Sequence, residues 1–188
     1  MKTCIIPAKA NSARLPGKNH KKFLGKPIIR YSYDLALAFG FDHIFVSTTD
    51  PTRFGSIPFD HITGRSKATE RDDAPMIDVV LEALGDLGGC VCMMYATAPL
   101  ATYRELAEGY EMLGWRHVVA ATYKGQIAGQ WYWATADYLR RAQSWDNPAH
   151  LEVEYGVDID TQADWDLAEM MYISRHHASE FAEFKEGL

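Results

Sequence analysis

The sequence predicts an α/β fold: three layers, with a mostly parallel central sheet covered by helices on both faces. Three observations predict it. Short apolar segments alternate with segments of helical period, as successive βαβ units require. Cys90 to Tyr95 is almost continuously apolar, as a central strand buried on both faces must be. The opening strand breaks at Pro7 into a loop of small and basic residues, at the strand end where open α/β sheets hold anionic ligands.

Taken in order, Thr3 to Ile6 is the first strand and its loop runs through Asn19. Pro27 suits the first turn of a helix, and Ile28, Ile29, Ser32, Leu35, Ala36 and Phe39 recur at helical spacing until Gly40 ends it. His43 to Ser47 supplies the next strand. From Pro51 to Asp73 no clean period survives Gly55, Pro58 and Gly64, which predicts an irregular excursion with room for one edge strand. A helix follows from about Pro75 to Leu87, carrying Ile77, Val80, Leu81 and Leu84 on its apolar stripe, with Gly88 and Gly89 after it.

Beyond the central strand, Thr97 to Leu100 forms a loop, Tyr103 to Leu113 a third helix and His117 to Ala121 another strand. Gln130 to Ala134, QWYWA, fits a strand returning along the sheet, and Thr135 fits the cap of a short helix from Ala136 to Ala142. Ser144 to His150 reads as a polar turn and Leu151 to Ile159 as extended or partly strand-like. Thr161 with Asp164 three residues later gives a capping-box-like start to a final helix. That helix turns Trp165, Leu167, Ala168 and Met171 inward and frays near His176.

The 188 residues fit one medium domain. With 19 Lys and Arg against 25 Asp and Glu, the formal charge of -6 gives no general footprint for nucleic acid. Cys4, Cys90 and Cys92 lie in apolar settings and lack zinc-knuckle spacing, so they read as buried structural thiols. The first residues lack a secretion-signal pattern and no run approaches the length of a bilayer span, so no membrane role is expected and the expected location is the cytoplasm.

Two constellations can carry chemistry. In CIIPAKANSARLPGKN, from Cys4 to Asn19, small Ala8, Ala10 and Ala13 with Asn11, Ser12 and Gly17 let the backbone approach a ligand. Lys9, Arg14, Lys18, Lys21 and Lys22 supply charge against a polyphosphate. Neither a P-loop nor a dinucleotide fingerprint is present, and an ordinary basic surface loop fits the residues equally. In the second, Val157-Asp158-Ile159-Asp160-Thr161, alternation puts Asp158 and Asp160 on one side with Ile159 anchoring the other. Two such carboxylates suit Mg²⁺. Capping by Asp160 and solvation of Asp158 are the plain alternative.

These motifs resemble sugar-activating cytidylyltransferases, above all those that activate nine-carbon acidic sugars of the sialic, pseudaminic and legionaminic group. The resemblance runs through FLGKPIIRYS, IFVSTTD, APMIDVVLEAL, CMMYATAPL, GQWYW and VDIDTQADWDLAEMMY, and YATAPL with GQWYW is most similar to the pseudaminic acid branch. It implies the nucleotide-diphospho-sugar transferase, Rossmann-like architecture in one compact domain spanning residues 1–188. It also implies transfer of a cytidylyl group from CTP to the sugar acid, giving a CMP-sugar and pyrophosphate.

Carried over by motif, Lys9, Ser12, Arg14, Lys18 and Asn19 contact the nucleotide phosphates, with Lys18 catalytic. Asp158 and Asp160 match the aspartate pair that binds catalytic Mg²⁺. Tyr95 and Thr97 fall where the group reads base and sugar, and Asp78 at a position associated with the nucleotide pocket. Arg65 and Gln130 are the sugar-recognition candidates. Tyr95 also fits packing beneath the cleft, and Asp78 an ordinary polar helix position. Trp131 and Trp133 should face opposite to Tyr132, and packing suits all three.

The departures are specific. Lys9 replaces a guanidinium with a point charge, Ala13 stands where a lysine is common, and the stretch from Asp50 to Asp73 is short. VVAATYK passes to GQIAGQWYW with little room for the arm that lines the sugar pocket and exchanges across a homodimer. A monomer fits this form as well as a dimer. An active compact enzyme, a transferase for another sugar acid and a degenerate nucleotide-binding or regulatory protein all fit these departures.

Overall fold

The structure is a computed structural model; it describes residues 1–186, without side-chain detail at residue 59 and from residue 177 onward. The chain opens with β1 (Lys2–Pro7), a small antiparallel pair β2 (Lys22–Phe23) and β3 (Lys26–Pro27), helix α1 (Ile29–Phe39) and β4 (His43–Thr48). It continues through β5 (Ile62–Gly64), α2 (Met76–Leu84), β6 (Cys90–Met94), α3 (Tyr103–Met112) and β7 (Val118–Tyr123). Then come β8 (Gln126–Thr135), α4 (Ala136–Ala142), β9 (Ala149–Glu152) and α5 (Gln162–Glu186). The main sheet is ordered β5-β4-β1-β6-β8-β7-β9. Its pairs are parallel except the two made by β8, which returns antiparallel between β6 and β7.

Strand alternation divides the core between two faces. Cys4, Ile6, Cys92 and Met94 pack with Ile29, Tyr33 and Phe39 of α1 and Leu106 of α3. Ile5, Val91 and Met93 pack with Ile77, Val80 and Leu84 of α2 and Leu139 of α4. On β8, Trp131 and Trp133 join the first group and Tyr132 the second, as alternation predicts. Trp133 donates its indole N–H to the Leu106 carbonyl at 3.0 Å, so its burial leaves no orphan donor. A third cluster joins Leu15, Phe23 and Ile28 to Ile159, Trp165 and Ala168, pinning the first loop to the start of α5.

The helix ends follow local chemistry. Thr102 and Glu105 form a full capping box on α3, Thr135 caps α4 through the Tyr138 N–H, and Thr161 and Asp164 bond reciprocally where α5 begins. β7 and β8 are joined by Lys124 and Gly125 alone, at φ 51° and 74°. Such a two-residue turn with both φ values positive is the tight hairpin that matches strand twist. It leaves no inserted segment at this point of the chain.

Several boundaries differ from the sequence expectation. Pro27 ends β3 instead of opening α1, because Pro27 and Lys26 pair with Lys22 and Phe23. α2 stops at Leu84, where Gly85 takes φ 55° and bonds back to Leu81. β8 begins at Gln126, since the hairpin aligns Tyr123 with Gln126. α5 runs past His176 to Glu186, and Leu167 on it is 41% exposed rather than inward. Cys4 and Cys92 are buried free thiols as expected, whereas Cys90 at the start of β6 is only half-buried; the Pro51–Asp73 stretch forms short turns and the edge strand β5, as expected. No described helix is long and apolar enough to cross a membrane.

Candidate active site

β1, β5 and β6 end on the same side of the sheet, and the segments leaving them open a cleft of about 500 Å³ there, within the ordinary range for a small-ligand site. The loop after β1 supplies Lys9, Ser12, Arg14, Lys18 and Asn19 to its wall. The loop is fixed from within. Ala8 N–H bonds the Ser47 carbonyl at 2.8 Å, and the buried Asn19 amide donates to the Lys9 carbonyl at 2.8 Å. Asn19 therefore shapes the loop, leaving the cations to face the cleft.

Asp158 and Asp160 line the same cleft, while Ile159 between them is fully buried in the third cluster. Lys18 reaches across 141 and 142 residues of sequence: Nζ donates to the Ile159 carbonyl at 2.6 Å and to Asp160 Oδ1 at 2.9 Å. Arg14 NH1 meets the other Asp160 oxygen at 2.5 Å. Asp160 is thus doubly paired. Asp158 makes no ion pair among the described residues, and its carboxyl is pushed above the ordinary range by burial and then by Asp160, with Lys18 and Arg14 opposing. It is nevertheless exposed toward the cleft, so the surrounding protein thins its hydration without closing it off.

Tyr95 and Thr97 line the floor just beyond β6. Burial, followed by Tyr132, Asp158 and Asp160, drives the Tyr95 phenol far above its ordinary range, so it stays a neutral hydroxyl. Arg65 borders the cleft from beyond β5, held by Ser47 Oγ at 3.1 Å and the Ser47 carbonyl at 3.2 Å. Burial lowers its pKa while Glu82 opposes, and a guanidinium, the most basic of side chains, stays charged at neutral pH.

Two expected site residues are not brought to this cleft. Asp78 is exposed on α2 outside the lining, because Met76 and Val79 occupy the cleft-facing positions of that helix. Gln130 is 1% exposed and donates from Nε2 to the Tyr155 carbonyl at 2.6 Å, beneath the segment that leads to Asp158.

Three lining or supporting residues were not among the expected site residues. Arg71 and Asp72 enter the cleft from the irregular stretch, where Asp72 binds Lys9 at 2.6 Å. Gly129 lies directly under Asp158: a Cβ there would sit 2.6 Å from the Asp158 Cα and 2.8 Å from Oδ1. A glycine inside a strand pattern is itself a signal of close backbone approach.

The donor set matches a divalent cation bound by hard oxygen ligands. Asp158 is a carboxylate whose charge the site does not yet balance, and Asp160 stands two residues on along the same wall. No group of three or more His, Cys, Asp or Glu that could hold a metal occurs among the described residues, so the remaining ligands would be substrate oxygens or water.

The mostly parallel α/β sheet is shared with solved nucleotidyltransferases. The 2-keto-3-deoxy-manno-octonic acid CMP synthetase solved with CTP superposes with TM-score 0.70, covering 93% of this chain and 99% of that one at 16% identity. A nucleotidyl transferase from Methanothermobacter thermautotroptrophicus gives 0.72, covering 93% and 99% at 15% identity. The chain belongs to the cytidylyltransferase family, whose model matches residues 3–178. A pseudaminic acid cytidylyltransferase of Campylobacter jejuni (strain 81-176) is 36% identical over 118 residues, 57% of this chain and 51% of the relative. An 8-amino-3,8-dideoxy-manno-octulosonate cytidylyltransferase of Shewanella frigidimarina is 36% identical over 87 residues, 46% of this chain and 35% of the relative. The chain thus spans about half the length or less of these curated relatives.

Proposed function

We propose that this chain transfers a cytidylyl group from CTP to a nine-carbon acidic sugar of the pseudaminic acid type, releasing pyrophosphate. The observation that carries the reading is the convergence of Lys9, Arg14 and Lys18 with Asp158 and Asp160 on one cleft. Cations from the loop match a triphosphate, and the carboxylates match the metal such a triphosphate brings. Family membership supports the reaction class, and the pseudaminic acid relatives support the sugar class.

The reaction asks the protein mainly for position and charge. The sugar hydroxyl attacks the α-phosphorus as the bond to pyrophosphate breaks. Lys18 and Arg14 leave Asp160 for the phosphate oxygens, and Lys9 leaves Asp72. Ser12 offers a hydroxyl and the loop its backbone amides, while Asn19 keeps the loop in shape. Mg²⁺ held by Asp158 and Asp160 would offset charge on the transferred phosphate. Tyr95, as a neutral phenol, and Thr97 are placed to read the base or the sugar, and Arg65 to meet an acidic group.

The described strands form one main sheet that carries the cleft, which supports a single domain, and a reaction that consumes CTP fits the cytoplasm. The two-residue hairpin at Lys124 and Gly125 supports a monomer, or a dimer built without an arm. The test is pyrophosphate release with CTP, Mg²⁺ and a panel of pseudaminic, legionaminic, sialic and 3-deoxy-manno-octulosonic acids. Release with the pseudaminic acid and CTP, and not with other nucleoside triphosphates, supports the reading. CTP binding without turnover on any of the four sugars would instead favour a nucleotide-binding or regulatory protein.

A further inference from the structure

Between Glu152 and Gln162 the chain has no helix or strand, yet it carries Asp158 into the cleft. Backbone polar groups outside ladders need other partners, and here they find them in side chains. Glu105 Oε1 accepts the Glu154 N–H at 2.9 Å, and Gln130 Nε2 donates to the Tyr155 carbonyl at 2.6 Å. Both side chains are almost completely buried, Glu105 at 2% and Gln130 at 1% exposure. Buried polar groups of this kind are costly unless hydrogen-bonded.

Glu105 meets that cost twice over, since its other oxygen accepts the Thr102 N–H and hydroxyl and so caps α3. Gln130 does not, because its Oε1 has no partner among the described residues. Turning the amide over would set Oε1 against the Tyr155 carbonyl, so the observed orientation is the one the tether requires. An apolar side chain of the same shape would avoid the unpaired oxygen, at the loss only of the bond to Tyr155. Arg175 of α5 closes the third side, its guanidinium 4.9 Å from the centre of the Tyr155 ring.

We infer that Gln130 and Glu105 are positioning residues that fix residues 154–158 and thereby set where Asp158 stands in the cleft. The inference deepens the proposed reaction and rests on it for its catalytic consequence, though not for its structural one. Gln130 acts from beneath the site rather than on the sugar. Its amide governs the placement of a carboxylate three residues beyond Tyr155, and Glu105 couples that placement to the start of α3.

The experiment compares Gln130→Met and Glu105→Met, each similar in shape to the residue it replaces and lacking its tethering group, with the unaltered full chain by hydrogen exchange. Loss of one buried tether should speed exchange across residues 154–158 about tenfold while leaving residues 9–19 unchanged. Where the chain turns over, kcat should fall about 100-fold with KM for CTP held within about twofold, as misplacement of a catalytic group predicts. Unchanged exchange at 154–158, or an equal rise everywhere in both variants, overturns the inference. An unaltered chain inactive with every sugar acid defeats the proposed reaction instead, and the exchange result still decides the tether.

Discussion

Gly129→Ala concentrates the account on one methyl group. The added Cβ would lie 2.6 Å from the Asp158 Cα, where ordinary contact begins at 3.4 Å, so Asp158 or β8 must yield by about 0.8 Å. The backbone at 129 has φ 62°, a left-handed conformation that costs a residue with a Cβ roughly 1–2 kcal/mol. Overpacking of this size adds about 1–3 kcal/mol. The expected loss of stability is therefore about 2–5 kcal/mol, read by urea unfolding. A shift near 1 Å in a catalytic carboxylate should lower kcat about 100-fold. Gly125→Ala is the control: φ is 74° and nothing lies within 4 Å of its Cβ, so it should lose only the conformational part, about 1–2 kcal/mol, and keep its kcat. If Gly129→Ala matches Gly125→Ala in both stability and kcat, the contact beneath Asp158 does not position it.

Asp158→Asn should abolish metal-dependent turnover by at least about 100-fold while raising the stability of the ligand-free protein at neutral pH. The sign follows from the raised carboxyl: the folded chain holds that proton to higher pH than the unfolded chain, so ionisation weakens folding as pH rises from the ordinary carboxylate range through the raised value. Thermal unfolding of both proteins between pH 4 and pH 7 checks it, and the gap between them should widen toward pH 7. Lys18→Met should weaken CTP binding and cut kcat/KM by about 100-fold or more, measured by calorimetry and pyrophosphate release. Asp72→Asn frees Lys9 from a pair whose Asp72 side chain is 88% exposed, so stability should change by less than about 1 kcal/mol. CTP affinity should rise severalfold in the same variant, most clearly at low salt.

The strands and helices were legible because their signals are local. Alternation in QWYWA placed Trp131 and Trp133 opposite Tyr132, and the unbroken run at Cys90 marked a central strand. The position of β8, antiparallel between β6 and β7, rests on long-range pairing that no local period encodes. In the site, the spacing of Asp158 and Asp160 was enough to put both on one wall, since a buried Ile159 fixes the phase. Asp78 fell away because one step along α2 turns a side chain about 100° from the Met76 and Val79 face. Gln130 was legible as a polar residue in an apolar strand, but not as a tether, because the segment it holds lies 25 residues on. Arg71 and Asp72 come from a stretch without period, where sequence gives charge and no direction.

The loop after β1 and the segment before α5 are proposed as two halves of one site. Diffraction from the chain with CTP and Mn²⁺, read at the manganese anomalous signal, tests this most directly. One peak is expected about 2.2 Å from oxygens of both Asp158 and Asp160, with the triphosphate against Lys9, Arg14 and Lys18. A nucleotide seated outside this cleft, or a metal held away from both aspartates, would contradict the proposal.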